Sequence, residues 1–352
     1  MLDILIRLIK ISCVVFIASA CAPQDDSASV AENPVGEIVN ITGDLYQARS
    51  SFHNNVFLVT DEGIILVDPI GEDFSQWLKI ELAERFGTVV KYVIYSHHHP
   101  DHVAGGTAFT DTATFVGHEG VRTALNAPLP SNAATLDQNG DGRLDRSEAT
   151  ALGYGGANFL RYDRNGDDSI TGVEINAETP PPDIVYSDHM TIALGGSRVE
   201  LMHPGPAHSD DMTVLLFPDQ RAVFGVDFMH VKRFPATLGG YPVAQYVDAI
   251  AKVQALDFDT VIPGHGDVGE KADLALFLDF LRALEAAVAS GIAEGKTVED
   301  LHETVSIPGY EDWLLYDERR ITLISEAYEL LAEPSYRVPV FTYLPIDARA
   351  EF

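Results

Sequence analysis

Apolar residues along this chain fall into short runs separated by turn residues, a pattern typical of strands in a layered fold. In the first half, Gly43-Asp44 and Asp61-Glu62-Gly63 indicate turns between such runs. Residues 74–86 have helical spacing, and Gly87 follows them as a stop signal. The strands predicted in this half cover residues 38–41, 55–59, 64–68, 89–95 and 114–116.

The same pattern resumes after residue 189. Further strands are predicted at residues 190–194, 198–202, 212–217, 221–226 and 260–262, and helices at residues 241–256, 271–292 and 317–332. Strands therefore precede helices twice. This order predicts an α/β fold in which two half-sheets pack face to face with helices outside, an αββα sandwich.

Composition narrows the function classes. The 352 residues contain 23 Lys and Arg against 53 Asp and Glu, a formal net charge of −30. Such a chain repels phosphate, so we expect no nucleic-acid partner. The only two cysteines are Cys13 and Cys21, so the remainder of the chain has no disulfide, no cysteine nucleophile and no thiolate metal ligand.

The N-terminus has the features of a targeting segment. Arg7 and Lys10 precede an apolar run too short to span a membrane comfortably, and small residues lead to Cys21. This resembles a bacterial lipoprotein signal at residues 1–20, although Ala18 stands where that pattern prefers Leu. The resemblance implies a lipidated Cys21 as the only membrane contact and a periplasmic or cell-envelope location. The alternative is an ordinary secretory signal. Residues 21–34 read as a tether and residues 333–352 as a C-terminal tail.

A histidine-rich hexapeptide follows the predicted strand at residues 89–95. It reads His-His-His-Pro-Asp-His, and its useful members are His97, His99, Asp101 and His102. On a loop that leaves a strand, alternate residues can turn toward one point and the next pair toward a neighbouring point. Neutral imidazole and carboxylate are the usual zinc ligands when cysteine is absent. The motif therefore predicts a metal centre.

Three later pieces add donors at strand ends. His208 lies in a Gly/Pro turn, Asp227 ends the strand at residues 221–226, and His265 lies between two glycines. This order resembles the metallo-β-lactamase-fold hydrolases, whose His-x-His-x-Asp-His motif is matched at residues 97–102. The resemblance covers residues 36–332 apart from an insertion. It divides the catalytic fold into residues 35–127 and 185–332.

The resemblance also implies a metal assignment. The first of two zinc ions would be bound by His97, His99 and His208, and the second by Asp101, His102 and His265, with Asp227 bridging them. His203 is the competing third ligand of the first ion. Iron is the alternative metal, because some relatives use histidine and one aspartate for it.

Two zinc ions about 3.5–4 Å apart lower the pKa of a shared water toward ~7. The resemblance therefore implies a hydrolase in which a metal-bridging hydroxide attacks the carbonyl of a small-molecule lactone, ester, thioester or amide. Asp101 is the expected catalytic residue, because it would orient the hydroxide or accept its proton. Related β-lactamases carry cysteine where Asp227 stands, so antibiotic hydrolysis is not favoured. Lys232 and Arg233 either grip an anionic substrate or are solvated loop charges.

Residues 128–184 change in composition to Asp, Asn, Gly and Pro and contain two calcium-type loops. The first, residues 137–148, matches every diagnostic position of an EF-hand loop. Its expected calcium ligands are Asp137, Asn139, Asp141, the Arg143 carbonyl and Glu148. The sequence therefore predicts an inserted, EF-hand-like helical subdomain that binds one or two Ca²⁺ ions.

The second loop, residues 163–174, departs from the pattern. Its expected ligands are Asp163, Asn165, Asp167, the Ser169 carbonyl and Glu174. Asp168 replaces the turn glycine, which requires a positive φ and predicts weaker binding. The pair also resembles dockerin modules. A rival function is therefore a calcium-dependent binding or scaffolding lipoprotein whose metal centre is not catalytic.

Overall fold

The computed structural model describes residues 35–134, 136–150 and 154–332. The predicted signal, tether and C-terminal tail lie outside these residues. Among the helices in the described ranges, none combines the length and apolar character that a membrane span requires.

Strand and helix positions agree closely with the hydrophobic pattern. The strands are β1 Glu37–Thr42, β2 Leu45–Ser50, β3 His53–Thr60, β4 Gly63–Val67, β5 Val90–Ile94, β6 Thr114–His118, β7 Leu144–Asp145, β8 Ser169–Ile170, β9 Ile184–Tyr186, β10 His189–Leu194, β11 Ser197–Met202, β12 Val214–Phe217, β13 Ala222–Val226, β14 Thr260–Pro263 and β15 Gly269–Glu270. The helices are α1 Glu72–Phe86, α2 Pro100–Val103, α3 Glu119–Leu125, α4 Ser131–Ala134, α5 Ala157–Tyr162, α6 Gly172–Ile175, α7 Val243–Gln254, α8 Lys271–Ala293, α9 Val298–Thr304 and α10 Tyr316–Ala332. Short 3₁₀ turns lie at Gly106–Phe109 and Glu148–Thr150.

The strands form two mixed sheets. The first has the order β1-β2-β3-β4-β5-β6-β9, and the second β10-β11-β12-β13-β14-β15. Strand β9 was not predicted, yet it pairs in parallel with β6 after the whole insertion has intervened. Strand β2 also escaped prediction, because its Gln47 and Arg49 interrupt the apolar run. The mixed α/β fold class is confirmed.

Successive side chains along the strands of the first sheet point to opposite faces of the sheet, so the apolar core is divided into two clusters. On β4, Ile65 and Val67 belong to the large apolar cluster that also contains residues of the second sheet. Ile64 and Leu66 point to the other face, where they join Leu78 of α1 in a separate cluster. The first sheet is thus buried on both faces, with α1 outside it.

The second sheet is also buried on both faces, with helices α7 and α8 packed against it. All five residues of β13 are buried, as expected for a strand between two layers. Helix α8 contributes Phe277 and Leu281 to the large cluster, and α7 contributes Tyr246 and Ile250. Sheets inside and helices outside reproduce the four-layer arrangement that the order of elements predicts.

The insertion has a small apolar core of its own. Leu144, Phe159 and Ile170 are members of this third cluster. Strands β7 and β8 pair antiparallel through Leu144–Ile170 and Asp145–Ser169, which brings the two predicted calcium loops side by side. The helix between the loops, α5, has only six residues.

Candidate metal centre

Every predicted donor lies just beyond a strand or in a tight turn. His97 and His99 follow β5, and Asp101 and His102 lie on the short helix α2, which begins with Pro100. His208 lies between β11 and β12, Asp227 follows β13, and His265 follows β14. The donors therefore come from the ends of strands in both sheets, where open α/β folds place their ligands.

The structure brings these donors together in two groups. One contains His97, His99 and His208, and the other contains Asp101, His102, Asp227 and His265. Within each group the ligand atoms lie within 4.8 Å of one another, and every member is buried. The residue sets coincide with those assigned from the sequence motif.

Asp227 connects the two groups. Its Oδ2 atom lies 3.1 Å from Nε2 of His265 and 3.2 Å from Nε2 of His102. The same oxygen is 3.5 Å from Nε2 of His208 and 4.0 Å from Nε2 of His97. One carboxylate oxygen thus faces imidazoles of both groups.

The buried donors fit divalent cations. Nε2 of His97, Oδ1 of Asp227 and both carboxylate oxygens of Asp101 are buried and have no hydrogen-bond partner among the described residues. Ring nitrogens of different histidines also face each other, with Nε2 of His208 3.1 Å from Nδ1 of His99. Buried polar atoms without partners are costly, and a metal ion satisfies several of them at once.

Electrostatics keep the first group neutral and the carboxylates ionised. Burial lowers the pKa of His97 and His99 well below the usual histidine range. Burial alone would raise the pKa of Asp101 and Asp227, but the neighbouring histidines, chiefly His102, outweigh it and hold both values well below normal. Neutral imidazole and ionised carboxylate are the forms that bind metals.

Asp68, at the end of β4, supports the centre and was missed from the sequence. Its Oδ2 atom lies 2.9 Å from Nδ1 of His102 and accepts a 2.6 Å hydrogen bond from Oγ of Ser96, while its Oδ1 accepts a 2.8 Å bond from the Ser96 amide. A donor role for Nδ1 of His102 leaves its Nε2 free as a ligand atom. An acid at the end of a fully apolar strand was the available signal.

His53 is a second missed neighbour. Its Nε2 atom lies 3.5 Å from Oδ2 of Asp101, and its ring stacks on Phe52. The adjacent Asn54 donates from Nδ2 to the carbonyls of Pro263 and Gly266, which brackets His265. No local motif distinguishes these β3 residues, because their role arises from contacts about 210 residues apart in sequence.

Other histidines lie outside the two groups. His203, the competing ligand, stacks on His118 with ring centroids 4.3 Å apart, and its Nδ1 lies 2.8 Å from the Met212 carbonyl. His98 turns away from the donors, and its Nδ1 lies 2.9 Å from Oδ2 of Asp211. His208 rather than His203 is therefore the neighbour of His97.

The two basic residues after Asp227 differ in environment. The side chain of Lys232 is 64% exposed, and its Nζ atom lies 3.5 Å from Oδ1 of Asp273, so Lys232 is a solvated loop charge. Arg233 is buried, with its guanidinium carbon 5.5 Å from the Phe52 ring centroid.

Backbone strain accompanies the site. Non-glycine residues with positive φ include Asp68 at 58°, His208 at 66° and Val226 at 52°. Such conformations cost energy and are worst for β-branched residues such as valine. Gly264 illustrates the tight packing, since a Cβ there would lie 2.2 Å from Oδ1 of Asp227.

The two loops of the insertion repeat one hydrogen-bond pattern. In the first, Asp137 accepts from the amides of Asp141 and Gly142, and in the second, Asp163 accepts from the amides of Asp167 and Asp168. Asp168 has the predicted positive φ, 62°. The other predicted ligands occupy equivalent positions in the same two loops: Asn139, Asp141, Arg143 and Glu148 in the first, and Asn165, Ser169 and Glu174 in the second.

Helix α10 supports the turn that carries His208. Glu326 is buried on α10 and accepts hydrogen bonds from Oγ1 of Thr237 and from the Leu238 amide. Gly239 follows with φ of 62°, and a Cβ there would lie 2.4 Å from the His208 carbonyl oxygen. The loop at residues 237–239 is therefore clamped between Glu326 and His208.

Comparisons with known proteins agree on one family. The family model described as the metallo-beta-lactamase superfamily matches residues 50–265, well over half of the chain. The linear primary-alkylsulfatase of Pseudomonas sp. (strain ATCC 19151) is 26% identical over 270 residues, 72% of this chain and 50% of that protein. The chain thus spans half the length of that relative. The metallo-beta-lactamase type 2 of Bacillus sp. (strain 170) is 24% identical over 235 residues, 65% of this chain and 72% of that protein.

Two solved structures share the fold. A metallo-beta-lactamase from Pontibacter korlensis superposes with a TM-score of 0.51 at 19% identity, covering 70% of this chain and 99% of its own. A stereoselective inverting sec-alkylsulfatase from Pseudomonas sp. superposes with a TM-score of 0.62 at 15% identity, covering 86% of this chain and 51% of its own. At these identities the likeness concerns the fold alone.

The buried Glu326, which accepts hydrogen bonds from Thr237 and Leu238, predicts that the stability of the protein depends on pH. Burial raises the pKa of Glu326 to about 7, from an ordinary 4.5. Between these values the unfolded chain ionises while the folded protein does not, so stability falls as pH rises from 4.5 to 7 and then levels off. The Glu326→Gln variant has no carboxyl group at this position and should not lose this stability. The free energy of unfolding of the variant minus that of the wild type should therefore be about 2 kcal/mol larger at pH 8 than at pH 5. Urea unfolding at both pH values measures the difference.

The exposed Glu318, at the start of the same helix, is the matched control. Glu318→Gln should leave the pH dependence of unfolding unchanged. A Glu326→Gln profile parallel to wild type would contradict the buried, protonated state of Glu326.

Proposed function

Because the chain belongs to the metallo-beta-lactamase superfamily, we propose that it is a dinuclear zinc hydrolase acting on a small-molecule carbonyl compound, namely a lactone, ester, thioester or amide. The observation that carries the proposal is the pair of donor groups joined through Oδ2 of Asp227. His97, His99 and His208 would hold one zinc ion. Asp101, His102 and His265 would hold the other, with Asp227 shared. Bound zinc supplies an acidified water and polarises the substrate carbonyl.

The chain's own residues orient the reaction. Asp101 is buried and ionised, so it would bind the second zinc ion through one carboxylate oxygen and orient the attacking water, or accept its proton, through the other. Asp68 holds His102 through Nδ1, which keeps the Nε2 lone pair directed at the centre. A closed structural zinc site would use four ligands for one ion, whereas six donors around a shared carboxylate suit a catalytic pair. This argues against the scaffolding alternative.

Sulfate-ester hydrolysis is a second candidate. It is favoured by the 26% identity to a linear primary-alkylsulfatase over 270 residues. The two candidates differ in the group that is hydrolysed, a carbonyl compound or a sulfate ester, so substrates distinguish them.

We also propose that the insertion binds calcium for stability rather than chemistry. The repeated hydrogen-bond pattern of the two loops and the β7–β8 pairing support this assignment. A lipidated Cys21 and an envelope location remain part of the proposal, supported by the N-terminal sequence alone.

Zinc content tests the ligand assignment. The purified wild-type protein, loaded with zinc, should contain close to two zinc ions per chain by elemental analysis. His208→Ala should lose about one ion, because it removes one of three ligands from the first group. His203→Ala is the matched control and should retain both. Equal losses from the two variants would refute the assignment of His208.

A substrate panel tests the reaction. Zinc-loaded protein should hydrolyse 4-nitrophenyl esters, thioesters or lactones in preference to 4-nitrophenyl sulfate and alkyl sulfates. Asp101→Asn should lower kcat by at least about 100-fold, because the proton acceptor is lost. Asp61→Asn replaces an exposed carboxylate in the turn between β3 and β4 and should leave kcat within about twofold. Turnover of sulfate esters alone would favour the second candidate.

Calcium should stabilise the fold. Millimolar calcium at fixed zinc should raise the melting temperature by a few degrees, since it binds only the folded loops. Glu148→Ala should remove most of that gain and Glu174→Ala less, while Glu62→Ala, in a turn of the first sheet, should retain it. Differential scanning calorimetry with calcium or a calcium-selective chelator provides the measurement. An unchanged melting temperature would contradict calcium binding.

A further inference from the structure

A pocket opens beside the metal centre, and the insertion forms part of its wall. The catalytic core contributes polar residues of the centre and apolar residues near α1, while the insertion contributes one base and one acid. The lining includes Asp101, His53, Ile70, Phe74, Arg161 and Glu178. The pocket therefore joins the proposed reaction site to an apolar surface and to charges that lie outside the matched catalytic motifs.

Hydrogen bonds connect the part of the insertion that lines the pocket to the first sheet and its neighbouring turn. The Thr107 amide donates a 3.3 Å hydrogen bond to the Glu178 carbonyl, and Oη of Tyr95 donates a 2.8 Å bond to the Pro180 carbonyl. The Glu178 side chain is held in turn by Nη2 of Arg164 at 2.6 Å. Glu178 is thus fixed and its charge is offset within the insertion itself.

Arg161 differs from the other arginines of the insertion. Arg143, Arg146 and Arg164 each form an ion pair with a carboxylate. Arg161 lines the pocket, and within the described part of the chain no acidic group forms an ion pair with it. Arg122, Arg319 and Arg320 also form no ion pair with the described residues, but each of them donates hydrogen bonds to backbone carbonyls.

The acids near Arg161 are partly engaged with each other. Repulsion from Glu178 raises the pKa of Glu72, which lines the same pocket. Glu178 also pairs with Arg164. Asp73 also lines the pocket, and it is exposed in the first turn of α1. Of the pocket's charged groups, the guanidinium of Arg161 is therefore the donor available to a ligand.

We propose that Arg161 binds a carboxylate of the substrate, while the substrate's apolar part lies against Ile70 and Phe74. The inference rests on the proposed hydrolase function and specifies its substrate class, an anionic amphiphile whose carboxylate is remote from the bond that breaks. A guanidinium presents a planar fork of donors that matches a carboxylate in two parallel hydrogen bonds. This contact is made in the ground state and the transition state alike, so it sets KM rather than kcat.

Two 4-nitrophenyl esters that differ only at the end of the acyl chain remote from the ester bond test the proposal. The first is 4-nitrophenyl hydrogen glutarate, and the second is 4-nitrophenyl valerate, in which a methyl group replaces the terminal carboxylate. The zinc-loaded wild-type protein should have the lower KM for the glutarate ester. Arg161→Ala should raise that KM by about tenfold or more, with kcat and the valerate KM changed less than about twofold. Arg161→Lys should give an intermediate KM, because it keeps the charge without the fork.

A binding measurement separates this inference from the proposed function. Calorimetric titration of the zinc-loaded protein with glutarate and with valerate compares the two products, which share the carboxylate formed by hydrolysis. Glutarate should bind more tightly, and Arg161→Ala should abolish the difference. Arg198→Ala removes an exposed arginine of β11 that pairs with Glu200 and should preserve it. If neither ester is hydrolysed, carbonyl hydrolysis fails while the titration still decides the role of Arg161. Equal affinities for glutarate and valerate in the wild type, or an unchanged difference in Arg161→Ala, would overturn the inference.

Discussion

The packing of the centre depends on one buried carboxylate. Oδ2 of Asp227 lies within 4.0 Å of ring nitrogens from His97, His102, His208 and His265. These side chains come from strand ends in both sheets, so they meet only when the sheets are packed face to face. A negative charge buried in this way is costly unless positive groups or cations surround it. The chemistry and the assembly of the two halves are therefore coupled.

The surrounding structure supplies the rigidity that this centre needs. Asp68 orients His102, Asn54 brackets His265, and Glu326 supports the loop behind His208. Several of these connections pass through backbone in the left-handed region, which is unfavourable for non-glycine residues. The apolar clusters on both faces of the sheets offset such local costs, because together they bury most residues of β4 and β13 completely.

In the proposed hydrolase, the insertion would contribute to recognition of the substrate, while the two sheets would carry the residues of the reaction. Its small core and paired loops form a compact unit, and backbone hydrogen bonds fasten its end to the core near Tyr95 and Thr107. Through Arg161 and Glu178 it reaches the pocket beside Asp101. In the proposed hydrolase, selection of the substrate and cleavage of its bond would then depend on different parts of the chain.

Residue type and spacing predicted the α/β layers and the two loops of the insertion, and the resemblance of the short motifs to a known family implied the seven donors. The local sequence suffices there because apolar periodicity follows local backbone geometry, and because metal-binding side chains are chemically distinctive and lie in short motifs. The choice of His208 as neighbour of His97, the roles of Asp68 and His53, the place of β9 in the first sheet and the position of Arg161 in the pocket were decided by tertiary structure. Each depends on contacts between residues far apart in sequence, and no local pattern records how separate segments pack against one another.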